Sequence, residues 1–249
     1  MRSPAREPEH PVSETTSRPT TDELRDLVAT GCRVLGAEDQ GDLVWGHVSV
    51  RDPDGRGIWM KASTWGFEEI DASRVLLVSW DGEVLEGDGR RHAEFPIHTE
   101  VMLARDDVNS VVHTHGPSAV ALAATGHPLR PVSHEGTLFT PPAVPRFTDT
   151  GDLILTREVG AALAATLGER PAAFMVNHGI VTAGPDVPSA VVSAILFDRA
   201  CRTQLTAMAA GGWATWSDDA EALDKRGHCY PPELLHQAWH YLVRQLDRA

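Results

Sequence analysis

The chain has 249 residues, of which 42% are hydrophobic and 23% charged, the composition of a globular protein with a sizeable core. Acidic residues outnumber basic ones by 35 to 22 and the formal net charge is −13, which disfavours nucleic acid and anionic membranes as partners. The cysteines, Cys32, Cys201 and Cys229, are widely spaced without a Cys-x-x-Cys pair. That spacing argues against a disulfide framework or a zinc knuckle and favours a reducing cytoplasm.

The first twenty residues are rich in Pro, Ser, Thr and Glu and contain no apolar segment typical of a signal peptide or a membrane span. We therefore predict a flexible tail over 1–20 and a single domain over 21–249. A helix of about four turns is predicted to begin at Thr21, where Thr20 or Thr21 can cap it, and to end near Gly36.

Two hairpins are predicted next. Strands over 43–50 and 58–60 flank the turn sequence Asp-Pro-Asp-Gly at 52–55, and strands over 75–80 and 83–85 flank Asp-Gly. Hairpins imply antiparallel pairing in this part of the sheet.

The later part of the chain alternates helices with short strands. Helical spacing or capping predicts helices over 96–104, 117–124, 152–167, 187–210 and 232–246. Strands are predicted over 111–114 and 172–176, the latter continuing through 180–182, with short strands near 137–139 and 144–145. This order indicates an α/β fold in which a mixed sheet is covered by helices on both faces.

A His-x-His pair ends the strand in the stretch Asn109-Ser110-Val111-Val112-His113-Thr114-His115-Gly116-Pro117. Successive side chains of a strand point to opposite faces, so His113 and His115 lie on the same side, about 7 Å apart at their Cα atoms. Two imidazoles placed in this way suit a metal ion. The alternative is a pair of polar residues that bond locally at a strand end.

Two further residues add to this pair. Glu94 precedes the helix that leads into the His-x-His strand, and His178 ends a different apolar strand and is followed by glycine. A third imidazole and a carboxylate would complete a metal site with open positions for substrate. Alternatively, Glu94 is an acidic residue at a helix N-terminus and His178 is a core histidine bonded to backbone.

Together, four motifs resemble the class II aldolase/adducin family, which includes fuculose-phosphate and ribulose-phosphate aldolases. They are Gly-His-Val-Ser-Val-Arg at 46–51, Glu94 with His98, Val-Val-His-Thr-His at 111–115, and Asn-His-Gly at 177–179, and the resemblance extends over about 22–212. It implies a three-layer α/β/α fold with a central mixed, largely antiparallel sheet, and a homotetramer with active sites near subunit interfaces. It further implies that His113, His115 and His178 bind one divalent metal ion, and that Glu94 is the catalytic acid/base and can also touch the metal.

The chain departs from the aldolases where their small polar groups hold a phosphate. His47, Trp65 and Ala93 occupy these stretches, which disfavours a phosphate and favours a flat, anionic substrate. The residues predicted to bind this small molecule are His47, Ser49, Lys61, Ser63, Arg91, His92 and His134. Lys61 and Arg91 can instead be solvated surface charges.

The pattern resembles a branch of the family that includes decarboxylases of hydroxylated aromatic or pyridine dicarboxylates and non-haem iron oxygenases. The first hypothesis is therefore a lyase that decarboxylates a hydroxyaromatic acid such as a dihydroxyphthalate-like diacid. The alternatives are a retro-aldolase on a phosphorylated or non-phosphorylated hydroxy-keto substrate, an iron oxygenase, and a non-catalytic adducin-like assembly module. The intact set of Glu94 and three histidines disfavours the last, and histidine-rich sites leave Zn, Mn, Fe and Co as candidate metals.

Overall fold

The computed structural model describes residues 18–213, 215–246 and 248. Within this range the helices are α1 (Thr21–Ala37), α2 (Pro96–Ala104), α3 (Pro117–Thr125), α4 (His134–Phe139), α5 (Arg157–Leu167), α6 (Val187–Ala209), α7 (Asp219–Cys229) and α8 (Pro232–Leu246). The strands are β1 (His47–Arg51), β2 (Gly57–Lys61), β3 (Val75–Ser79), β4 (Val84–Glu86), β5 (Ser110–Thr114), β6 (Arg146–Phe147), β7 (Ala172–Met175) and β8 (Gly179–Gly184).

The eight strands form one sheet in the order β4-β3-β2-β1-β5-β8-β7-β6. Neighbouring strands are antiparallel except β6 and β7, which are parallel. The two predicted hairpins are present as β1–β2 and β3–β4. The prediction of a mixed, largely antiparallel sheet is confirmed.

Helices cover both faces of the sheet. The side chains of α2 and α5 pack on one face, and those of α1, α3, α4, α6 and α8 pack on the other. Strand β2 contributes to both cores, because Trp59 faces the α1 side while Ile58 and Met60 face the α2 side. The α/β/α layering predicted from the sequence is therefore confirmed.

The N-terminal cap of α1 is a capping box. The Thr20 hydroxyl accepts from the Glu23 N–H, and the Glu23 carboxylate accepts from the Thr20 N–H at 2.7 Å, which satisfies two donors that the first helical turn leaves free. The predicted flexible tail over 1–20 lies largely outside the described residues, since 1–17 are not described. Thr20 itself belongs to the cap.

Of the two short strands predicted between 128 and 149, one is a helix and the other is present one to two residues further on. Residues 137–139 lie in α4, where Phe139 packs on Phe197 of α6 with ring centroids 4.7 Å apart. Periodicity cannot separate a short buried strand from a short buried helix, and the packing against α6 decides for the helix here. The strand predicted at 144–145 is β6 at Arg146–Phe147, where it pairs with β7.

Other element boundaries also differ from the predictions. Helix α5 begins at Arg157 rather than residue 152, because Thr156 caps it by accepting from the Val159 N–H. The apolar segment over 172–182 is two antiparallel strands, since the chain reverses between β7 and β8 with Asn177 at a φ of 62°. Helix α7 was not predicted because Ala222 is its one buried residue, which leaves little apolar periodicity.

The cysteines are all free thiols, with Cys32 and Cys201 buried and Cys229 partly exposed. This agrees with the absence of a disulfide framework predicted from their spacing. Among the described helices, none is both long and apolar enough to cross a bilayer.

Candidate metal centre and active site

Three elements bring the predicted ligands together at one end of the central strands. His113 lies in β5, His115 directly follows it, and His178 lies in the turn between β7 and β8. Because β5 pairs with β8, the turn that carries His178 lies beside the end of β5. Glu94 approaches from the turn that precedes α2.

The polar atoms of these side chains converge. His113 Nε2 lies 3.1 Å from His115 Nε2, and His178 Nε2 lies 3.4 Å from Glu94 Oε1. Glu94 Oε2 is 4.0 Å from His113 Nε2 and 4.0 Å from His47 Nε2. Two overlapping groups could hold a metal ion, namely His113 with His115 and His178, and His113 with His47 and Glu94.

Gly179 permits this convergence. A Cβ at this position would lie 2.5 Å from the carbonyl oxygen of Thr114 and 2.8 Å from His115 Cδ2. Both distances are shorter than a Cβ tolerates, so a larger residue would push the turn and His178 away from the end of β5. The glycine of the Asn-His-Gly motif therefore has a steric role in the site.

The hydrogen bonds of two histidines fix which nitrogen carries the proton. His113 Nδ1 donates to the Ile180 carbonyl at 2.8 Å, and His115 Nδ1 donates to the Asp42 carboxylate at 2.9 Å. With Nδ1 as the donor in both rings, the two Nε2 atoms face one another at 3.1 Å. A proton or a metal ion shared between them would satisfy both nitrogens.

His178 supports the same conclusion. Both of its ring nitrogens are buried without a hydrogen-bond partner, and its contact with Glu94 is not aligned as a hydrogen bond. Buried polar atoms without partners are costly, so a ligand that accepts their lone pairs would stabilise the site. The three histidines and Glu94 therefore fit a divalent metal ion.

Electrostatics favour the protonation states that metal binding needs. Burial lowers the pKa of His113 well below its ordinary value, and the neighbouring His115 and His178 act in the same direction. Burial opposes ionisation of Glu94, but the adjacent His178 and His113 and the Ile154 N–H outweigh it and lower the pKa of Glu94 to about 2. At neutral pH, His113 is neutral and Glu94 is a carboxylate.

Behind the ligands lies a buried row of polar side chains. His47 is the cross-strand neighbour of His113, and its Nδ1 is 2.6 Å from His98 Nε2. His98 Nδ1 in turn lies 2.7 Å from the Ser49 hydroxyl. Burial, reinforced for His47 by its charged and imidazole neighbours, lowers the pKa of His47 well below its ordinary value and that of His98 to about 3. Ser49, a predicted substrate ligand, is fully buried and supports His98.

Lys61 is also buried rather than exposed. Its ammonium donates to the Val44 carbonyl at 3.0 Å and lies 3.2 Å from His92 Nε2. Burial lowers the pKa of Lys61 to about 8, and burial together with Lys61 and His98 lowers the pKa of His92 to about 3. The alternative that Lys61 is a solvated surface charge is therefore wrong.

Two cavities meet at Glu94. The larger has a volume of about 700 Å³ and borders the histidine cluster. Its lining includes Asp42, Trp45, Glu94, His115, Asp152, Leu153 and His178. The smaller, of about 340 Å³, is lined by Val44, Trp45, Ser63, Thr64, Arg90, Arg91, His92, Ala93, Glu94 and Leu153. The structure thus places Ser63, Arg91 and His92, which were predicted to bind substrate, around one cavity with Glu94.

Sequence reasoning missed Asp42, Trp45 and Arg90. The segment from 43 to 50 was predicted to be a strand, whereas residues 42–45 form a turn closed by an isolated bridge between Asp42 and Trp45. The glycines at 41 and 46 that bracket this turn were the available signal.

His134 lies elsewhere in the chain. It begins α4, its Nδ1 is 3.4 Å from Cys229 Sγ, and it lines a separate cavity with Trp216 and Lys225. Within one chain, His134 lines neither of the cavities that contain Glu94, so a role of His134 in substrate binding stays a prediction.

Residues 26–205 match the family of class II aldolase and adducin N-terminal domains. The chain belongs to this family. Its fold is shared with an L-fuculose 1-phosphate aldolase from Glaciozyma antarctica, with a TM-score of 0.81 and 24% identity over 94% of each chain. The resemblance drawn from the motifs, and the fold that it implied, are therefore confirmed.

Two relatives carry names that bear on chemistry. A 3,4-dihydroxyphthalate decarboxylase from Arthrobacter keyseri is 32% identical over 81% of this chain and 85% of its own. A protein from Streptomyces roseochromogenus named 4-hydroxy-3-prenylphenylpyruvate oxygenase/4-hydroxy-3-prenylbenzoate synthase is 32% identical over 70% of this chain and 63% of its own. The first relative belongs to the branch that the motifs indicated, and the names of decarboxylases and aldolases both denote carbon–carbon lyases.

Proposed function

We propose that this class II aldolase family member is a metal-dependent lyase that decarboxylates a hydroxylated aromatic mono- or dicarboxylate. The observation that carries the proposal is the meeting of two cavities at Glu94, one beside the histidine cluster and one lined by arginines. A rigid diacid can then contact both at once. The likeness to a decarboxylase of an aromatic diacid supports the same substrate class.

His113, His115 and His178 would hold the metal ion, with Glu94 as a fourth group when substrate is absent. A divalent cation bound there supplies a Lewis acid that stabilises negative charge on a phenolate or carboxylate oxygen. The metal identity is open among Zn, Mn, Fe and Co, because all four accept imidazole and carboxylate ligands.

The remaining substrate contacts come from the smaller cavity. Arg90 and Arg91 supply guanidinium groups for a carboxylate, and Ser63 supplies a hydroxyl. Trp45 is 52% exposed and lines both cavities. Its indole is therefore placed to pack against the aromatic ring of the substrate. His92 completes the wall of this cavity and is held from behind by Lys61. His47 lies behind the wall, where His98 and Ser49 support it.

Glu94 is the proposed proton donor. During decarboxylation the bond between the ring and the carboxylate carbon breaks, carbon dioxide leaves, and the electron pair on the ring carbon takes up a proton. The pKa of Glu94, lowered to about 2 without substrate, must rise before this carboxyl can donate. A bound dianion raises it, because negative charge nearby disfavours the ionised carboxylate.

The test is release of carbon dioxide from a panel of hydroxylated aromatic mono- and dicarboxylates, including 3,4-dihydroxyphthalate. Protein stripped by a chelator is reloaded separately with Zn, Mn, Fe or Co, and the stripped protein is the control. We expect metal-dependent carbon dioxide release from at least one ortho-hydroxylated acid. Cleavage of hydroxy-keto acids without any release of carbon dioxide from the panel would instead establish a retro-aldolase.

An oxygenase is the second candidate, favoured by the relative from Streptomyces roseochromogenus whose name includes that activity. Three histidine ligands leave positions on iron for oxygen and substrate. Oxygen uptake by the iron-loaded protein that requires the aromatic acid would support this candidate. Carbon dioxide release under nitrogen would support the decarboxylase.

A homotetramer with active sites near subunit contacts is part of the proposal. Leu153, which lines the larger cavity, is 50% exposed, and Leu43 and Leu155, close in sequence to the lining residues Asp42 and Leu153, are 74% and 53% exposed. Exposed apolar side chains near the site support a partner copy beside it. Light scattering should give about four times the 27.0 kDa of one subunit, and a mass of one subunit would contradict the assembly. A cytoplasmic location also stays a prediction.

A further inference from the structure

We propose that Asp42 is a positioning residue for the metal site: it accepts a hydrogen bond from His115 Nδ1 and so holds the His115 Nε2 lone pair toward the ion. This inference rests on the proposed metal-dependent function. The two can fail separately, because binding of a metal by the unmodified protein is measured independently of any role of Asp42.

The contact has the geometry of a charge-assisted hydrogen bond. Asp42 Oδ2 lies 2.9 Å from His115 Nδ1 on the side of the ring opposite to the cluster. The His115 side chain is 19% exposed, so water competes little with the carboxylate for its N–H. A carboxylate acceptor fixes the tautomer of an imidazole and increases the basicity of its other nitrogen.

The three histidines of the cluster differ in what their outer nitrogens contact. His113 donates to a neutral carbonyl, that of Ile180, and His178 has no hydrogen-bond partner. Of the three, only His115 donates its outer nitrogen, Nδ1, to a carboxylate, whereas His178 faces Glu94 with its inner nitrogen at 3.4 Å. No hydrogen bond fixes the tautomer of His178, so the orientation of the ligand set depends on His113 and His115. His113 is held by a backbone carbonyl, and Asp42 is the side chain that holds His115.

The backbone around Asp42 is built to hold it. The Trp45 N–H donates to the Asp42 carbonyl at 3.0 Å, which closes a turn in which Leu43 has a φ of 50°. From beneath, the buried Lys61 ammonium donates to the Val44 carbonyl at 3.0 Å. Lys61 has no carboxylate within 4.0 Å among the described residues, so support of this turn accounts for its buried position.

The test compares Asp42→Ala and Asp42→Asn with the matched control Asp152→Asn. Asp152 lines the same cavity and carries the same charge, but its carboxylate accepts from the Leu153 N–H rather than from a histidine. The dissociation constant for Zn²⁺ or Co²⁺ is measured by competition with a chelator. We expect Asp42→Ala to weaken binding on the order of 10- to 100-fold, Asp42→Asn by less, and Asp152→Asn by no more than about twofold.

A second readout follows the tautomer directly. Nitrogen-15 shifts of the His115 ring in metal-free protein distinguish a proton on Nδ1 from one on Nε2. The unmodified protein should carry it on Nδ1, and both Asp42 variants should populate the other tautomer. The Asp42 carboxylate is 42% exposed, so its loss should leave the fold intact, which circular dichroism checks.

The possible results distinguish failure of the Asp42 positioning role from failure of the proposed metal-dependent function. Equal losses of affinity in Asp42→Asn and Asp152→Asn would show that only the negative charge of the cavity matters, and would overturn the positioning role. Unchanged affinity in Asp42→Ala, or an unchanged tautomer in both Asp42 variants, would also overturn it. Absence of metal binding by the unmodified protein would refute the proposed function itself.

Discussion

Replacement of Lys61 by methionine should abolish a rise in stability that the unmodified protein shows between pH 8 and pH 10.5. Lys61 is fully buried, and its ammonium has one backbone carbonyl and one imidazole as partners. Burial therefore penalises the charged form, and the pKa falls from 10.5 to about 8. The lysine of the unfolded chain keeps the ordinary value.

The direction and size of the effect follow from proton linkage. Between pH 8 and pH 10.5 the unfolded chain binds a proton that the folded protein has released, so the free energy of unfolding rises with pH in this window. At about 1.4 kcal/mol for each pKa unit, the buried charge costs about 3 kcal/mol at neutral pH, and about 2 kcal/mol of this should be recovered between pH 7 and pH 10. Methionine also removes the hydrogen bond to Val44, but that loss does not depend on pH.

Urea denaturation of the metal-free protein at pH 7 and pH 10 provides the measurement. Subtraction of the Lys61→Met values from those of the unmodified protein cancels the groups that both share. The matched control is Lys225→Met, at the other lysine of the chain, which lies near the surface 2.8 Å from Glu221 and should give no comparable rise. Parallel pH profiles for the unmodified protein and Lys61→Met would refute the reasoning.

Three other perturbations test the candidate site. His178→Ala should lower bound metal sharply while circular dichroism stays unchanged, because the ladder between β5 and β8 holds the strand ends; near-full occupancy would contradict its role as a ligand. Glu94→Gln should retain metal but reduce turnover on the order of 10²-fold, since the amide has no transferable proton, and turnover equal to the unmodified enzyme would move the proton donor elsewhere. The metal-free protein should lose stability as pH falls from 6.5 toward 3, because the pKa values of His92 and His98 are lowered to about 3 and the unfolded chain takes up protons first. Urea midpoints at pH 7 and pH 5 measure this, and equal midpoints would count against it.

Local signals predicted the regular parts of the fold. The bounds of α1 and α8 agree with their predictions to within about a residue, because a capping box begins α1 and strong helical periodicity runs through α8. The misassigned segments depend on tertiary contacts instead. Residues 137–139 are helical because Phe139 packs on Phe197, a contact between residues far apart in the chain.

The same distinction applies to the site. The convergence of His113 and His115 follows from strand alternation, which is local. Glu94 and His178 were added from their positions before a helix and at the end of an apolar strand, and the family resemblance implied their roles. Asp42 could not be found in this way, because its contact with His115 spans 73 residues. Lys61 could be read as a surface charge from its residue type, yet all five residues of β2 are buried.

Under the proposed function, the site must attract an anion without positive charge on its most deeply buried histidines. Burial lowers the pKa values of His47, His92, His98 and His113 far enough that their imidazoles are neutral at physiological pH. These rings can act as ligands or hydrogen-bond partners, but they contribute no positive charge. The chain as a whole carries −13, and the cluster contains the carboxylate of Glu94.

The positive charge for an anionic substrate must therefore come from a few groups. Arg90 and Arg91 line the smaller cavity, and the metal ion would provide the charge at the larger one. Under the proposed function, removal of the metal should then weaken binding of a diacid more than substitution of either arginine, because only the ion offsets the charge of Glu94 at the point where the cavities meet. Calorimetric titration of the stripped and reloaded protein, each with and without Arg91→Met, measures the two contributions. A stripped protein that binds the diacid as tightly as the loaded one would place the anion entirely in the arginine-lined cavity.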